Sequence, residues 1–273
     1  MNKKDYFEDI KTYKYLANKS LGQNFLIVPD VAEQIINLLE IKESDEVLEI
    51  GAGLGSLSYF LAQKNSKTTL IDVDERMIYA LSQKFENKAN IEIKRENILK
   101  SDLNKYTKIV GNLPYYITSG IIEYVLLNAL HLTKAVFMVQ KEVYQKFNNK
   151  KEISPLSMFM KYVGNVSAGK IVNRNCFTPV PHVDSAYFSI TLNENIKNPD
   201  NKVLLNLMNK MFIYRRKTIL NCLTNILGNK EESEKIIAQL NLDTNLRPEQ
   251  LDINDYINLL NVLKSKDFIS KIM

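Results

Sequence analysis

The chain has 273 residues, 45% of them apolar and 25% charged, and a formal net charge of +5 from 36 Lys plus Arg against 31 Asp plus Glu. That is ample for a buried core and fits one large domain with a smaller one. The charge is too mild to argue for nucleic-acid binding by itself. No apolar stretch approaches the ~20 residues of a membrane helix, and Met1–Tyr6 lacks the apolar core of a signal peptide, so a cytoplasmic protein is expected. The two cysteines, Cys176 and Cys222, fall in different expected domains and read as free thiols of a reducing compartment. With His131 and His182 they show no metal-ligand spacing, and no metal is expected.

Residues up to about Lys19 form a polar arm bearing Lys and Tyr, read as flexible. Pro29–Leu39 reads as a helix with Val31, Ile35, Leu38 and Leu39 on one side. Glu46–Ile50 is a buried strand, followed at once by Gly51-Ala52-Gly53-Leu54-Gly55 and a helical pattern through Leu57, Phe60 and Leu61. Thr68–Ile71 is a second strand ending at Asp72. Ile91–Ile93 is a third, leading to Glu96-Asn97-Ile98. Lys108–Gly111 is a fourth, ending in Asn112-Leu113-Pro114-Tyr115. A later strand at Ala135–Val139 precedes a helix at Lys141–Phe147, a mobile polar loop at Asn148–Lys151 and a helix at Pro155–Val163. Strand-like runs at Val166–Val172 and Ala186–Leu192 bracket the turn Phe177–Pro181. Asn193–Asn201 reads as a linker. The rest is helical by period, apart from a break at Leu246–Glu249. The division is a Rossmann-like domain over 1–195 and a helical domain over 196–273, with no internal repeat.

Four successive strand ends thus bring a glycine turn, a carboxylate, an amide and a proline-stiffened turn to one rim, the ligand-binding edge of an open α/β sheet. Glycines let the backbone approach a ligand closely. The spacing Gly-x-Gly-x-Gly is not the dinucleotide fingerprint, and Glu49 just before it suits a cation better than a pyrophosphate. S-adenosylmethionine carries a sulfonium and an ammonium and no phosphate. Asp72, roughly twenty residues beyond the first glycine, can bind ribose hydroxyls, with Asp74 as its near rival. The Asn112 side-chain oxygen and the carbonyls after it can accept both N–H groups of an exocyclic amine. Pro114 keeps the turn rigid, and Tyr115 offers a ring face to a planar base. The constellation predicts methyl transfer to the N6 amine of adenine. Further on, Arg215, Arg216 and Lys217 are expected on one helix patterned by Leu207, Met211 and Leu220, fanned over an exposed face that can grip phosphates.

The chain resembles the small-subunit ribosomal RNA adenine N6,N6-dimethyltransferases from the arm almost to its end. The resemblance is carried by Leu21–Leu26, Glu49–Gly55, Asn112–Tyr115, Gln140–Val143, Phe177–Ala186, Arg215–Thr218 and Leu246–Leu251. It implies an S-adenosylmethionine-dependent enzyme that dimethylates adjacent adenosines, acting as a monomer on small-subunit ribosomal RNA or its precursor particle, with a part in ribosome biogenesis. It further implies a cofactor site of Gln23, Asn24, Leu26, Glu49, Gly51, Gly53, Gly55, Asp72, Val73, Glu96, Asn97 and Asn112. Its catalytic group is Asn112, Leu113, Pro114, Tyr115 and Phe177, with Tyr115 and Phe177 sandwiching an extruded adenine. Arg215, Arg216 and Lys217 would bind RNA. Three positions depart from the family pattern: Asn97 replaces a carboxylate, which leaves Glu96 as the alternative counterpart, Tyr116 replaces Asn, and His182 replaces Lys. The alternatives are a macrolide-resistance type methylase of large-subunit RNA and a ribosome-assembly RNA-binding factor with little catalysis.

Overall fold

The computed structural model describes residues 2–12, 17–18, 21–148, 153–167 and 169–273. The mobile loop expected at Asn148–Lys151 lies largely outside these residues, as does part of the N-terminal arm. The strands are β1 (Phe25–Leu26), β2 (Glu46–Ile50), β3 (Lys67–Asp72), β4 (Ile91–Arg95), β5 (Lys108–Asn112), β6 (Lys134–Gln140), β7 (Gly164–Val166), β8 (Lys170–Val172), β9 (Phe177–Thr178) and β10 (Ser185–Leu192). The helices are α1 (Lys3–Thr12), α2 (Pro29–Leu38), α3 (Ser58–Leu61), α4 (Glu75–Phe85), α5 (Thr118–Asn128), α6 (Lys141–Asn148), α7 (Pro155–Val163), α8 (Asn201–Ile213), α9 (Ile219–Leu227), α10 (Lys230–Gln239) and α11 (Ile253–Ser265).

The chain divides into two compact units, 1–145 with 164–193, and 146–163 with 194–273. The first is built on an eight-stranded sheet in the order β4-β3-β2-β5-β6-β10-β7, with β8 also on β10. The strands from β4 to β6 are parallel, and β10 runs antiparallel to β6, β7 and β8. Parallel strands need crossovers, and α4 and α5 supply two of them. In α4, Met77, Leu81 and Phe85 fall four residues apart and are buried as one stripe, while Asp74 caps the helix by accepting from the Arg76 N–H at 3.0 Å. Because parallel strands share a direction, Glu49 and Ile50 of β2, Asp72 of β3 and Asn112 of β5 finish on one edge.

Four local expectations are corrected. The arm is not wholly flexible: α1 buries Tyr6, Phe7 and Ile10, whose spacing i, i+1, i+4 makes one apolar face. The helix after the glycine turn is only four residues long. The run Val166–Val172 is two short strands, each paired with β10. Asn193–Asn201 is structured, because Asn201 is 4% exposed and its side chain donates to the Asn195 and Ile196 carbonyls at 2.8 and 3.1 Å.

The second unit is helical, with Leu204, Met208, Met211, Leu223, Ile236, Tyr256 and Leu260 in its core. It includes 146–163, and so α7, which the division at 195 assigned to the sheet domain. The Arg-Arg-Lys run is also relocated. Helix α8 stops at Ile213, and α9 starts anew at Ile219 because the Thr218 side chain caps it. Arg215, Arg216 and Lys217 therefore occupy an exposed turn between two helices, closed by Lys217 N–H donating to the Tyr214 carbonyl at 2.7 Å.

Candidate active site

A crevice of about 350 Å³ opens at the edge where the parallel strands end. Its floor is the glycine turn. Gly51 adopts φ +65°, and a Cβ there would project into open space, 3.9 Å from the Asn112 carbonyl oxygen as its nearest neighbour. A side chain at this position would fill the volume a ligand needs, which is why the turn requires glycine.

Two acidic residues sit beside this floor. Glu49, 2% exposed, accepts from Ser58 Oγ at 2.6 Å. Burial pushes its carboxyl up to about 8, against the Ser58 hydrogen bond and with help from the Asp72 charge. Asp72 is 7% exposed and accepts from the Gly53 and Asp74 N–H groups, each at 2.9 Å, so its carboxylate also fixes the turn. Burial raises its pKa, and those backbone donors oppose the rise. Asp74, the rival for the ribose role, does not line the crevice. Its carboxylate is taken by Arg76 at 2.6 Å and Gln23 at 3.0 Å, which holds it below the usual carboxylate range.

Among the described residues, the lining contains Glu49, Asp72 and Glu96 and no Lys, Arg or His. A phosphate-bearing dinucleotide would meet no positive side chain there, whereas a sulfonium with an ammonium suits a lining with three carboxyl groups. The residues present thus fit S-adenosylmethionine. Of the expected cofactor residues, Gln23, Asn24, Leu26, Glu49, Gly51, Gly53, Asp72, Val73, Glu96, Asn97 and Asn112 all line this one crevice. Gly55 does not; it turns toward Tyr6, Leu81 and Phe85. Asn97 is partly committed, because its side-chain oxygen caps the turn at Ile98 by accepting from the Leu99 N–H at 3.0 Å. Glu96 beside it makes no such bond among the described residues. Ile98, Leu99, Ile117 and Ile121 add an apolar wall that the strand-end logic did not foresee.

At the mouth, Asn112 donates through Nδ2 to the Asn24 carbonyl at 3.1 Å. Its amide nitrogen is thereby turned to the loop, and its Oδ1 is left as an acceptor. The Leu113 N–H donates to the Met138 carbonyl at 2.9 Å, which ties the turn to β6. The Pro114 carbonyl is occupied by Thr118 Oγ1 at 3.0 Å and by the Ile117 N–H. Tyr115 is half-buried, its hydroxyl 3.1 Å from Ser185 Oγ, and burial raises its phenol above the ordinary value. Tyr116, 62% exposed, also lines the crevice.

Phe177 is not at the crevice. The pairing of β1 with β9 sets Leu26 opposite Phe177, and the Phe177 ring, 1% exposed, joins the core with Phe25 and Leu26. In this arrangement no Phe177 face is open to a base, contrary to the sandwich implied by the resemblance. Two residues that strand-end reasoning does not single out, Tyr6 and Lys84, hold the glycine turn from outside the crevice; the apolar spacing in α1 was the available signal.

Among the described residues there is no group of three or more His, Cys, Asp or Glu placed to hold a metal ion, and no helix is long and apolar enough to cross a membrane. The sequence profile of the ribosomal RNA adenine dimethylase family matches residues 15–265. Ribosomal RNA small subunit methyltransferase A of Mycoplasma capricolum is 37% identical, over 92% of this chain and 99% of its own length. The protein of the same name from Streptococcus gordonii is 32% identical, over 94% and 95%. A dimethyladenosine transferase from Plasmodium falciparum superposes with a TM-score of 0.80 at 27% identity, covering 89% of this chain and 98% of that one. With a crevice shaped and charged for a sulfonium and an amide turn at its mouth, the chain belongs to the ribosomal RNA adenine dimethylase family and is an S-adenosylmethionine-dependent adenine dimethyltransferase.

Proposed function

We propose that the substrate is an adenosine of small-subunit ribosomal RNA, dimethylated at N6 by residues Asn112 to Tyr115. The observation that carries this reading is the orientation of Asn112, whose amide nitrogen is anchored by its bond to the Asn24 carbonyl so that its oxygen is the group offered to an incoming amine. The names of the relatives that match at 30–37% identity support the small subunit over the large.

The adenine amine is a weak nucleophile because its lone pair is delocalised into the ring. Asn112 Oδ1 accepts one of its N–H bonds and the Leu113 carbonyl the other, since the Pro114 carbonyl is already occupied. Two such bonds favour a tetrahedral nitrogen and return the lone pair to it. Tyr115 stacks on the extruded base and replaces the stacking lost in RNA, worth ~1–3 kcal/mol. Glu49, Gly51 and Asp72, with Asn97 or Glu96, would hold S-adenosylmethionine, which would supply an electrophilic methyl whose bond to sulfur breaks as the bond to N6 forms, the sulfonium leaving as a neutral thioether. Holding the amine in line with that methyl is worth up to ~7–11 kcal/mol. The methylated nitrogen is strongly acidic, so water takes its proton and no side-chain base is needed. Arg215, Arg216 and Lys217 grip RNA phosphates from their exposed turn.

The test incubates purified protein and labelled S-adenosylmethionine with unmethylated small and large ribosomal subunits and maps modified nucleosides by mass. Dimethyladenosine confined to the small-subunit RNA is expected. Label in the large subunit would favour the macrolide-resistance type of reaction, and no label in either would favour an assembly factor.

A further inference from the structure

None of Tyr6, Gly55 and Lys84 lines the crevice, yet all three meet at the turn that forms its floor. Tyr6, 4% exposed, aims its hydroxyl at two successive carbonyls, Leu54 O at 3.2 Å and Gly55 O at 3.0 Å. Lys84 of α4 donates to the same Leu54 carbonyl at 3.3 Å, lies 4.6 Å from the centre of the Tyr6 ring, and pairs with Asp9 of α1 at 3.1 Å. Gly55, at φ +89°, permits this approach, because a Cβ there would run into the Tyr6 hydroxyl.

Packing alone does not account for a hydroxyl at this place. Phe7, next in sequence and 2% exposed, shows that α1 docks with plain aromatic rings. A buried hydroxyl carries a desolvation penalty that only its hydrogen bonds offset. Those bonds fall on the turn whose other side is held by the Gly53 N–H on Asp72. The segment between Gly51 and Gly55 is therefore clamped by the cofactor-side carboxylate and by the N-terminal helix together.

We propose that Tyr6 is a positioning residue for the cofactor: its hydroxyl, together with the Lys84 ammonium, fixes the Leu54 and Gly55 carbonyls and so holds the glycine turn in the shape against which S-adenosylmethionine binds. The inference rests on S-adenosylmethionine occupying this crevice. It gives Tyr6 a part in cofactor binding although no residue of α1 lines the crevice.

The test compares Tyr6→Phe, which keeps the ring and removes only the hydroxyl, with Phe7→Leu, which loosens the packing of α1 and leaves the hydroxyl in place. Calorimetric titration of the RNA-free protein with S-adenosylmethionine gives Kd, thermal melting gives stability, and steady-state kinetics separate KM from kcat. Tyr6→Phe is expected to raise the cofactor Kd and KM about threefold to tenfold, with kcat at saturating cofactor within about twofold. Phe7→Leu is expected to lower Tm with Kd nearly unchanged. Lys84→Met, which removes the second donor to the Leu54 carbonyl, is expected to raise the same Kd and stands in for Tyr6→Phe should that variant not fold. An unchanged Kd in Tyr6→Phe, or an equal rise in Phe7→Leu, would overturn the proposal. A wild-type protein that retained no labelled S-adenosylmethionine in equilibrium dialysis would overturn it too, by removing the ligand from the crevice.

Discussion

The Asn112 side chain donates to the Asn24 carbonyl at 3.1 Å, across 88 residues of sequence. One bond thus aligns the end of β5 with the loop before β1 and decides which end of the Asn112 amide is free. An amide offers hydrogens on one side and an oxygen on the other, and only the oxygen can accept from an amine.

Asn112→Ala should therefore lower the rate of methyl transfer by about a hundred- to a thousandfold, the usual loss when one preorganised hydrogen-bonding group is removed from a reacting centre. RNA affinity should stay within a few-fold. Single-turnover transfer and filter binding on the same preparation measure the two quantities, and undiminished turnover would end the assigned role.

Glu49 makes cofactor affinity depend on pH. Burial pushes its carboxyl up to about 8, so at neutral pH it is largely protonated, while a cation in the crevice favours the carboxylate. Affinity should rise with pH up to and slightly above 8, and binding near pH 7 should release a proton, detectable by calorimetry in buffers of different ionisation enthalpy. Glu49→Gln should bind more weakly and lose most of this dependence. Stability runs the other way. Because the folded value lies above the ordinary 4.5, the favourable contribution of the protonated group is fully present below about 4.5 and is lost as pH rises from there through 8. Melting curves from pH 5 to 9 should show Glu49→Gln gaining on the wild type across that window.

Phe177 separates packing from stacking. Its ring is 1% exposed, so Phe177→Ala should destabilise the protein by about 3–5 kcal/mol in denaturant unfolding. Phe177→Leu keeps most of the apolar volume and should leave turnover within a few-fold. A large loss of kcat/KM for RNA in a stably folded Phe177→Leu would mean that the ring leaves the core and stacks on the base during the reaction.

Replacing Arg215 and Arg216 together by Ala should weaken RNA binding and flatten its salt dependence, by roughly 0.7–0.9 in log–log slope for each phosphate no longer neutralised. Both side chains sit in an exposed turn, so Tm should hardly move. Affinities measured from low to moderate salt give the slope, and an unchanged slope would reduce the run to a solvated turn.

What the amino-acid sequence determined by itself is the chemistry of the crevice. Gly51, Gly53, Asp72 and Asn112 are legible because each is local: glycine is needed where φ is positive, and a strand followed by a polar residue puts that residue at the sheet edge. Successive parallel strands then bring the four together without any knowledge of packing. The tertiary structure alone decided which aromatic rings line the crevice and which vanish into the core. Phe177 is buried because β9 pairs with β1, Tyr6 is fixed because α1 docks on the glycine turn, and α7 joins the helical unit by packing against residues far away in the chain. Such packing joins segments whose periodicity says only that each has an apolar face. The partner that covers the face is chosen when the whole chain competes to bury apolar surface, and that choice is not written in any one segment.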